Sequence, residues 1–237
     1  MSEPKTFEQA FAEICAMESP LGDRLTALTG IIKTFGPEFD TAYDALVAQL
    51  RTGNAGANAP GVGDQLPGYL LTDQHGKLVD LQALYDQGPV VVSLNRGHWC
   101  EYCELELGAF TKAHEEFAAA GATVVSIMPE RMEYTRRVSE RCRRAFSILS
   151  DIDNSYALEL NLVVWLGDDV RRLLSGSGLD LAKYQGNSSW FVPIPATFVT
   201  DTGGRVSACF VDPDFRRRMD IDAILAALVE LRAASPA

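Results

Sequence analysis

Two cysteines three residues apart carry the most informative chemistry in this chain. Cys100 and Cys103 follow an apolar run at 89–94 and precede a helix-compatible stretch at 104–121. Cysteines at positions i and i+3 in the first turn of a helix lie within reach of each other, so they can close a small disulfide and reopen it. A strand, a Cys-x-x-Cys motif and a helix in this order predict thiol redox chemistry.

Within the pair, Cys100 is predicted to be the nucleophile and Cys103 the resolving thiol. The free N–H groups and the dipole at a helix start stabilise a thiolate, while Cys103 lies one turn further in and should be more buried. Arg96 and His98 precede the pair and could stabilise the charge further. Three nearby glutamates oppose ionisation: Glu101, Glu104 and Glu106. The net direction of the shift in the Cys100 pKa therefore stays open at this point.

A metal site is an alternative use of the same residues. His98, Cys100 and Cys103 could supply three ligands, whereas a structural zinc site normally has four. The chain would then be a non-catalytic module that holds zinc or an iron–sulfur cluster between subunits. A c-type haem is excluded because Glu104 stands where that motif requires histidine. The redox interpretation is preferred, and no cofactor is expected.

The other three cysteines have weaker signals. Cys142 lies in an arginine-rich stretch that could depress its pKa, so it is either a distal resolving thiol or a spare thiol, and the second interpretation is preferred. Cys15 and Cys209 fall in apolar patterns and are expected in the core. An odd number of cysteines at modest density is not typical of a disulfide scaffold.

Composition limits the partners of the 237-residue chain. Its net charge of −11 argues against nucleic acid and anionic membrane as partners. The basic runs at 136–144 and 216–218 are interleaved with acids and are expected to be solvated. There is no run long enough to span a bilayer and no apolar signal-peptide core, so the expected location is cytoplasmic.

The elements that position the motif fall into three segments. Residues 1–52 carry three apolar stripes of helical period and form a predicted N-terminal helical extension. Residues 53–67 are rich in Gly, Ala, Asn and Pro and are predicted to be a linker. Residues 68–237 are predicted to form the main domain. The stripes must bury against the chain's own sheet or against a second copy, and a homodimer is a modestly favoured expectation.

Short apolar runs alternate with helical stretches from residue 69 onward. The predicted strands are 69–72, 77–79, 90–95, 123–127, 146–149, 196–200 and 206–211, and the predicted helices are 100–120, 132–143, 155–160 and 221–233. The strand–helix–strand unit over 90–127 predicts parallel pairing, and 201–204 predicts a hairpin turn. The expected class is α/β, with a central mixed sheet flanked by helices.

Five ordered motifs resemble the thioredoxin superfamily, and within it the peroxiredoxin-like proteins of the alkyl hydroperoxide reductase/thiol-specific antioxidant (AhpC/TSA) type. The resemblance covers about 66–232 and rests on these segments: 69–81, 96–103, 125–130, 146–151 and 194–201. It implies a thioredoxin-like fold, a cis peptide at Pro195 and a place for Trp99 beside the active site. It further implies an antioxidant role, a peroxide or disulfide substrate, and a thioredoxin- or glutaredoxin-type reductant.

Two positions depart from the family pattern. Gly97 stands three residues before Cys100, where a peroxiredoxin keeps Thr or Ser, and Pro195 stands where it keeps an arginine that polarises the peroxide. Arg96 could partly substitute for that arginine. The leading hypothesis is therefore a thiol–disulfide oxidoreductase, and the alternative is a dedicated thiol peroxidase that forms a sulfenic acid on Cys100.

Overall fold

A computed structural model describes residues 5–234 as a central sheet flanked by helices, with a helical extension packed on one side. The helices are α1 (Phe7–Ala16), α2 (Leu21–Phe35), α3 (Pro37–Thr52), α4 (Leu81–Tyr85), α5 (Glu101–Lys112), α6 (His114–Ala119), α7 (Met132–Arg141), α8 (Ser155–Glu159), α9 (Gly167–Gly176), α10 (Leu181–Gln185) and α11 (Ile221–Ala234). The strands are β1 (Leu70–Asp73), β2 (Leu78–Asp80), β3 (Val90–Leu94), β4 (Thr123–Met128), β5 (Ser147–Ser150), β6 (Val163–Trp165), β7 (Phe191–Pro193), β8 (Ala196–Thr200) and β9 (Val206–Val211).

The main sheet has seven strands in the order β2-β1-β5-β4-β3-β8-β9. Strands β3, β4 and β5 are parallel, while the strands on either side pair antiparallel. Strand β3 lies near the middle and is buried along its whole length, since helices cover both faces of the sheet. The predicted parallel unit over 90–127, the hairpin at 201–204 and the α/β class are confirmed.

The predicted N-terminal helical extension, for which two or three helices were expected, is confirmed and has three, and local signals set their ends. Helix α1 begins with a capping box, in which Thr6 and Gln9 each accept the other's backbone N–H. Helix α3 begins with Pro37, which suits the first helical position because that N–H has no partner in a helix. Within residues 5–234, no helix combines the length and apolar character needed to cross a membrane.

Other elements differ from the sequence-based expectation. The helix predicted over 100–120 divides at Ala113, where ψ moves to 5° and the chain starts a second short helix. Helices α4, α9 and α10 were not predicted, nor was the two-stranded sheet formed by β6 and β7. The strands β6 and β7 have three residues and the helices α4 and α10 have five, which is too short to show a period. Helix α9 has ten residues, and the sequence analysis missed it.

The cis peptide expected at Pro195 is wrong, because the structure has no cis peptide bond in its described residues. Only Ile194 and Pro195 separate strands β7 and β8, and the N–H of Ile194 donates to the carbonyl of Leu162. The chain continues from one strand into the next without a turn at this point. The trans form, which is favoured by about 0.5–1 kcal/mol before proline, fits that path.

The N-terminal extension packs on the face of the sheet that carries α5. One apolar cluster joins Leu28 and Tyr43 of the extension to Cys100, Cys103 and Phe215. A hydrogen bond of 3.0 Å between the hydroxyls of Thr29 and Tyr102 links α2 directly to α5. The extension therefore buries its apolar stripes against its own chain, directly over the two cysteines.

Removing this hydroxyl pair tests the contact. Tyr102→Phe and Thr29→Val should each lower the free energy of unfolding, and together they should show a coupling energy of about 1 kcal/mol, typical of a partly buried hydrogen bond. Urea unfolding of the two single variants and the double variant gives this energy. Strictly additive effects would mean that α2 and α5 do not interact through these hydroxyls.

Candidate active site

The segment after β3 is anchored by a buried asparagine. The Asn95 side-chain amide donates to the hydroxyls of Ser93 (2.8 Å) and Ser126 (3.1 Å), and its backbone N–H donates to the carbonyl of Ile127 (2.8 Å). These bonds fix the start of the loop between β3 and α5. The loop then delivers Arg96 to the interior and Cys100 to the N-cap of α5.

Both cysteines of the motif are buried thiols. Cys100 is 3% exposed and Cys103 is 1% exposed, and both are free cysteines. The order of burial predicted from the sequence is thus present, although the difference is small. In this conformation neither sulfur is open to a protein-sized partner.

Positive groups converge on Cys103. Its Sγ accepts the backbone N–H of Arg96 at 3.4 Å and lies 3.6 Å from Nη2 of Arg218. Burial disfavours the thiolate, but the hydrogen bond from Cys100 and the charge of Arg218 prevail and lower the pKa of Cys103 to about 6. A sulfur held in this way is ionised at neutral pH.

Cys100 has the opposite electrostatic balance. Burial raises the pKa of the Cys100 thiol above its ordinary value, and the hydrogen bond to Cys103 raises it further. The pull of Arg96 and Arg218 is too weak to reverse this. The structure therefore sets the direction that the sequence left open, and it places the negative charge on the second cysteine.

Arg218 is held by a buried carboxylate. Its Nε donates to Glu106 Oε2 at 2.9 Å, and Thr197 donates to Glu106 Oε1 at 3.3 Å. Its Nη1 donates to the carbonyls of Phe215 and Arg217. Glu106 is completely buried, and burial raises its pKa to about 7 against the pull of Arg218. Every nitrogen of this guanidinium thus has a partner, which fixes its position.

The sequence did not identify Arg218 as a member of the site. The expectation that the basic run at 216–218 is solvated is wrong for Arg218, whose side chain is 1% exposed. The segment between β9 and α11 folds inward there, with Arg216 paired to Asp214 and only Arg217 fully exposed. The one available signal was the buried partner, since Glu106 falls on the inner face of α5, three residues after Cys103.

Arg96 lies between two aromatic rings. Its guanidinium carbon is 4.0 Å from the ring centroid of Phe215 and 4.9 Å from that of Trp99. Its Nε and Nη2 are buried without a hydrogen-bond partner. Pro195 lines a small cavity together with Arg96 and Phe215. The structure thus brings three of the predicted supporting residues, Arg96, Trp99 and Pro195, to the region of the thiols.

His98 is directed toward a different partner. Its Nδ1 lies 2.7 Å from Glu130 Oε1, and its backbone N–H donates to Glu130 Oε2 at 2.8 Å. The ring packs against Tyr134 and Tyr184. In the described part of the chain, no three His, Cys, Asp or Glu side chains are arranged to hold a metal. The ligand set that His98, Cys100 and Cys103 could have formed is therefore not assembled.

Gly97 is required by the backbone rather than by the chemistry. Its φ is +141°, and a Cβ atom there would stand 2.6 Å from Trp99 Nε1 and 2.7 Å from Glu130 Oε1. No side chain fits between these groups. The absence of Thr or Ser at this position follows from the close approach of Glu130 to the loop.

Gly97→Ala should cost about 2 kcal/mol or more of the free energy of unfolding, because alanine is strained at this φ and meets two fixed side chains. Gly108→Ala is the matched control. It lies in α5 with open space around its Cβ, and it should gain about 0.5–1 kcal/mol. Urea unfolding of both variants measures the difference. A neutral Gly97→Ala would contradict this account of the loop.

The remaining cysteines lie outside this site. Cys15 and Cys142 line a separate cavity of about 160 Å³, together with Arg24 and Glu104. Burial raises the pKa of Cys142, so its arginine-rich surroundings do not depress it as the sequence suggested. A groove of about 290 Å³ is lined by Trp99 and Glu101, the sequence neighbours of Cys100, together with residues of the N-terminal extension.

Comparison with known proteins by sequence and by structure points to one family. The sequence model of the AhpC/TSA family matches residues 62–209. By structure, the chain is similar to peroxidoxin BcpB from Mycobacterium tuberculosis at 23% identity and a TM-score of 0.56, over 75% of this chain and 99% of that one. It is also similar to reduced Prx3 from Vibrio vulnificus in complex with hydrogen peroxide, at 19% identity and a TM-score of 0.56, over 70% and 97% of the two chains.

A third similar structure is AhpC from Mycobacterium tuberculosis, at 16% identity and a TM-score of 0.55, over 74% of this chain and 95% of that one. At these identities the likeness establishes the fold alone. Among curated proteins, none matches the chain by sequence.

Proposed function

The chain belongs to the AhpC/TSA family, and from that premise we propose that it reduces small hydroperoxides by cycling Cys100 and Cys103 between dithiol and disulfide. The family gives the broad class, a thiol-dependent oxidoreductase with a thioredoxin-like fold. The identity of the two thiols, the substrate and the reductant are the proposal. An antioxidant role follows from the same chemistry.

The observation that carries the proposal is the buried thiol pair beside two buried arginines. Arg218 contacts the sulfur of Cys103, and Arg96 lies beside both thiols with Nε and Nη2 without a hydrogen-bond partner. Positive charge next to sulfur stabilises a thiolate, which is the reactive form of cysteine. Pro195 stands where the family keeps an arginine. Arg96 and Arg218 supply the positive charge that this arginine would provide.

The buried position of the pair favours a small substrate. With 3% and 1% exposure, the sulfurs admit a molecule the size of a hydroperoxide more readily than a folded disulfide protein. The free Nε and Nη2 of Arg96 suit a peroxide oxygen, because an unpaired buried donor gains free energy when it acquires an acceptor. A structural neighbour, Prx3 of Vibrio vulnificus, has been captured with hydrogen peroxide, which supports the same substrate class.

The two thiols supply both electrons that reduce one hydroperoxide. One thiolate attacks an oxygen of the hydroperoxide; the O–O bond breaks, an alcohol or water leaves, and the sulfur becomes a sulfenic acid. The second thiol attacks that sulfur, the S–O bond breaks and water leaves as the disulfide forms. A thioredoxin- or glutaredoxin-type dithiol then returns two electrons by thiol–disulfide exchange.

A second candidate is thiol–disulfide exchange with another protein, and the position of Cys100 favours it. Cys100 is the N-cap of α5 without a side-chain hydrogen bond to the helix, as suits a thiol that attacks an external disulfide. This candidate requires the extension to move away, since Tyr43 and Phe215 pack in the same cluster as both sulfurs.

A coupled assay separates the two candidates. NADPH oxidation is followed with a thioredoxin or a glutaredoxin system, using hydrogen peroxide, an organic hydroperoxide or a protein disulfide as the oxidant. Peroxide-dependent turnover is expected, and Cys142→Ser should retain it because Cys142 lines a different cavity. Turnover with the protein disulfide alone would select the second candidate. A rate no higher than that of the assay without this protein would contradict both.

A further inference from the structure

Two cysteines in one motif require an order of attack, and their contacts are not equivalent. Cys103 receives an N–H from the loop and lies against Arg218, while the Cys100 side chain makes no hydrogen bond to the start of its helix. No comparable cationic contact is made to the sulfur of Cys100 in the described residues. The geometry is that of a thiolate at position 103 and a neutral thiol at position 100.

We infer that Cys103 makes the nucleophilic attack and Cys100 resolves, with Arg218 contacting the reacting sulfur and Glu106 acting as the positioning residue for Arg218. This order reverses the one expected from the sequence, and it rests on the proposed function. A helix start alone favours the first cysteine of such a motif. Here a guanidinium from the segment between β9 and α11 outweighs the helix dipole.

The electrostatic surroundings of Cys103 support this order. The charged and titratable groups that face it are these: Cys100, Arg96, Glu101, Glu106 and Arg218. Two are permanent cations, while burial raises the pKa of both glutamates and so weakens their opposition at neutral pH. The cations therefore dominate, and the lowered pKa of Cys103 follows from their position.

Arg218 and Arg96 have different roles, the first toward the thiolate and the second toward the peroxide. Four of the five N–H groups of Arg218 are bound, to Glu106, to two backbone carbonyls and to the sulfur of Cys103, so its role is to hold the thiolate. Arg96 is fixed by its aromatic neighbours and keeps Nε and Nη2 unbound. The Cys103 thiolate attacks one peroxide oxygen while Arg96 donates to the other, on which negative charge develops as the O–O bond breaks. The released hydroxide takes a proton from solvent, and Cys103 is left as a sulfenic acid. Cys100 then attacks that sulfur, its proton goes to the hydroxide that leaves as the S–O bond breaks, and the disulfide forms.

Single-turnover chemistry of the two serine variants tests the order. Cys100→Ser should consume one equivalent of hydrogen peroxide within about tenfold of the wild-type rate, since the attacking thiolate remains. A dimedone trap should then label Cys103 as a sulfenic acid. Cys103→Ser should lose this step by about 100-fold or more, because the remaining thiol is largely protonated at neutral pH.

Arg218→Met should raise the pH at which Cys103 ionises and slow peroxide consumption, and Arg218→Lys should restore part of both. The readout is the pH profile of iodoacetamide alkylation in the Cys100→Ser background, which a purely structural role would not shift. Arg217→Met removes an exposed charge one residue away and is the matched control. If Arg218→Met does not fold, Arg218→Lys and the serine pair still give a decision.

Three outcomes overturn part of the account, and they are distinguishable. Fast peroxide consumption by Cys103→Ser together with loss in Cys100→Ser would restore Cys100 as the nucleophile and leave the proposed function standing. An unchanged alkylation profile in both Arg218 variants would remove the role of Arg218. If the wild-type protein itself consumes no peroxide and forms no disulfide, the proposed function fails, and the inference fails with it.

Discussion

Replacing either Cys100 or Cys103 by serine is expected to reduce steady-state peroxide turnover by about 10³-fold or more, as is usual when one member of a catalytic unit is removed. Each variant loses the internal disulfide, although the two fail at different steps. In Cys103→Ser the attack on the peroxide is lost. In Cys100→Ser the sulfenic acid forms but has no neighbouring thiol with which to condense.

The measurement is reductant-coupled turnover at saturating peroxide, with Cys15→Ser and Cys142→Ser as thiol-loss controls. Both controls line the cavity between α1 and the end of α7 and should stay near the wild-type rate. A large loss in Cys142→Ser would instead identify it as a distal resolving thiol. Full turnover by either CxxC variant would exclude the internal disulfide from the cycle.

Glu106→Leu is expected to lose about 3–5 kcal/mol of the free energy of unfolding, which is the usual cost of leaving a buried charge without its partner. Glu106 is completely buried and is the only carboxylate among the described residues bound to Arg218. Once it is removed, the Arg218 guanidinium keeps only backbone carbonyls and the sulfur of Cys103. Glu106→Gln keeps an acceptor and should lose less.

A double variant provides the control for this interpretation. Glu106→Leu combined with Arg218→Met removes both charges, and such a replacement of a buried ion pair is often close to neutral in stability. The double variant should therefore recover much of the loss, as measured by urea unfolding, while remaining inactive toward peroxide. If the double variant is less stable than Glu106→Leu alone, the cost does not come from an unpaired charge.

Much of the fold follows from local patterns in the sequence. The stripes in residues 1–52 have helical period and caps such as Thr6 and Pro37. The run at 90–94 is apolar except for Ser93, as is typical of a central parallel strand. The hairpin turn at 201–204 has its own glycine signal. These features depend on neighbours within a few residues, so a single sequence reveals them.

The site was predictable only in part. The spacing of Cys100 and Cys103 revealed the redox pair, and Arg96 was close enough in sequence to be included. Arg218 is 115 residues from Cys103, and its contact depends on how the segment after β9 folds back under α5. The two residues before it, Arg216 and Arg217, are also charged, so the pattern favoured a solvated run. Pro195 shows the converse case, in which the resemblance implied a cis peptide that this chain does not have.

The central claim is that Cys100 and Cys103 form one reversible redox unit. Peptide mapping by mass spectrometry, after one equivalent of hydrogen peroxide and without reductant, tests it most directly. The account predicts that the peptide carrying both cysteines becomes lighter by two hydrogen atoms, resists alkylation, and regains its mass and its reactivity with dithiothreitol. A stable sulfinic acid on either cysteine, or a disulfide that includes Cys15, Cys142 or Cys209 instead, would contradict it.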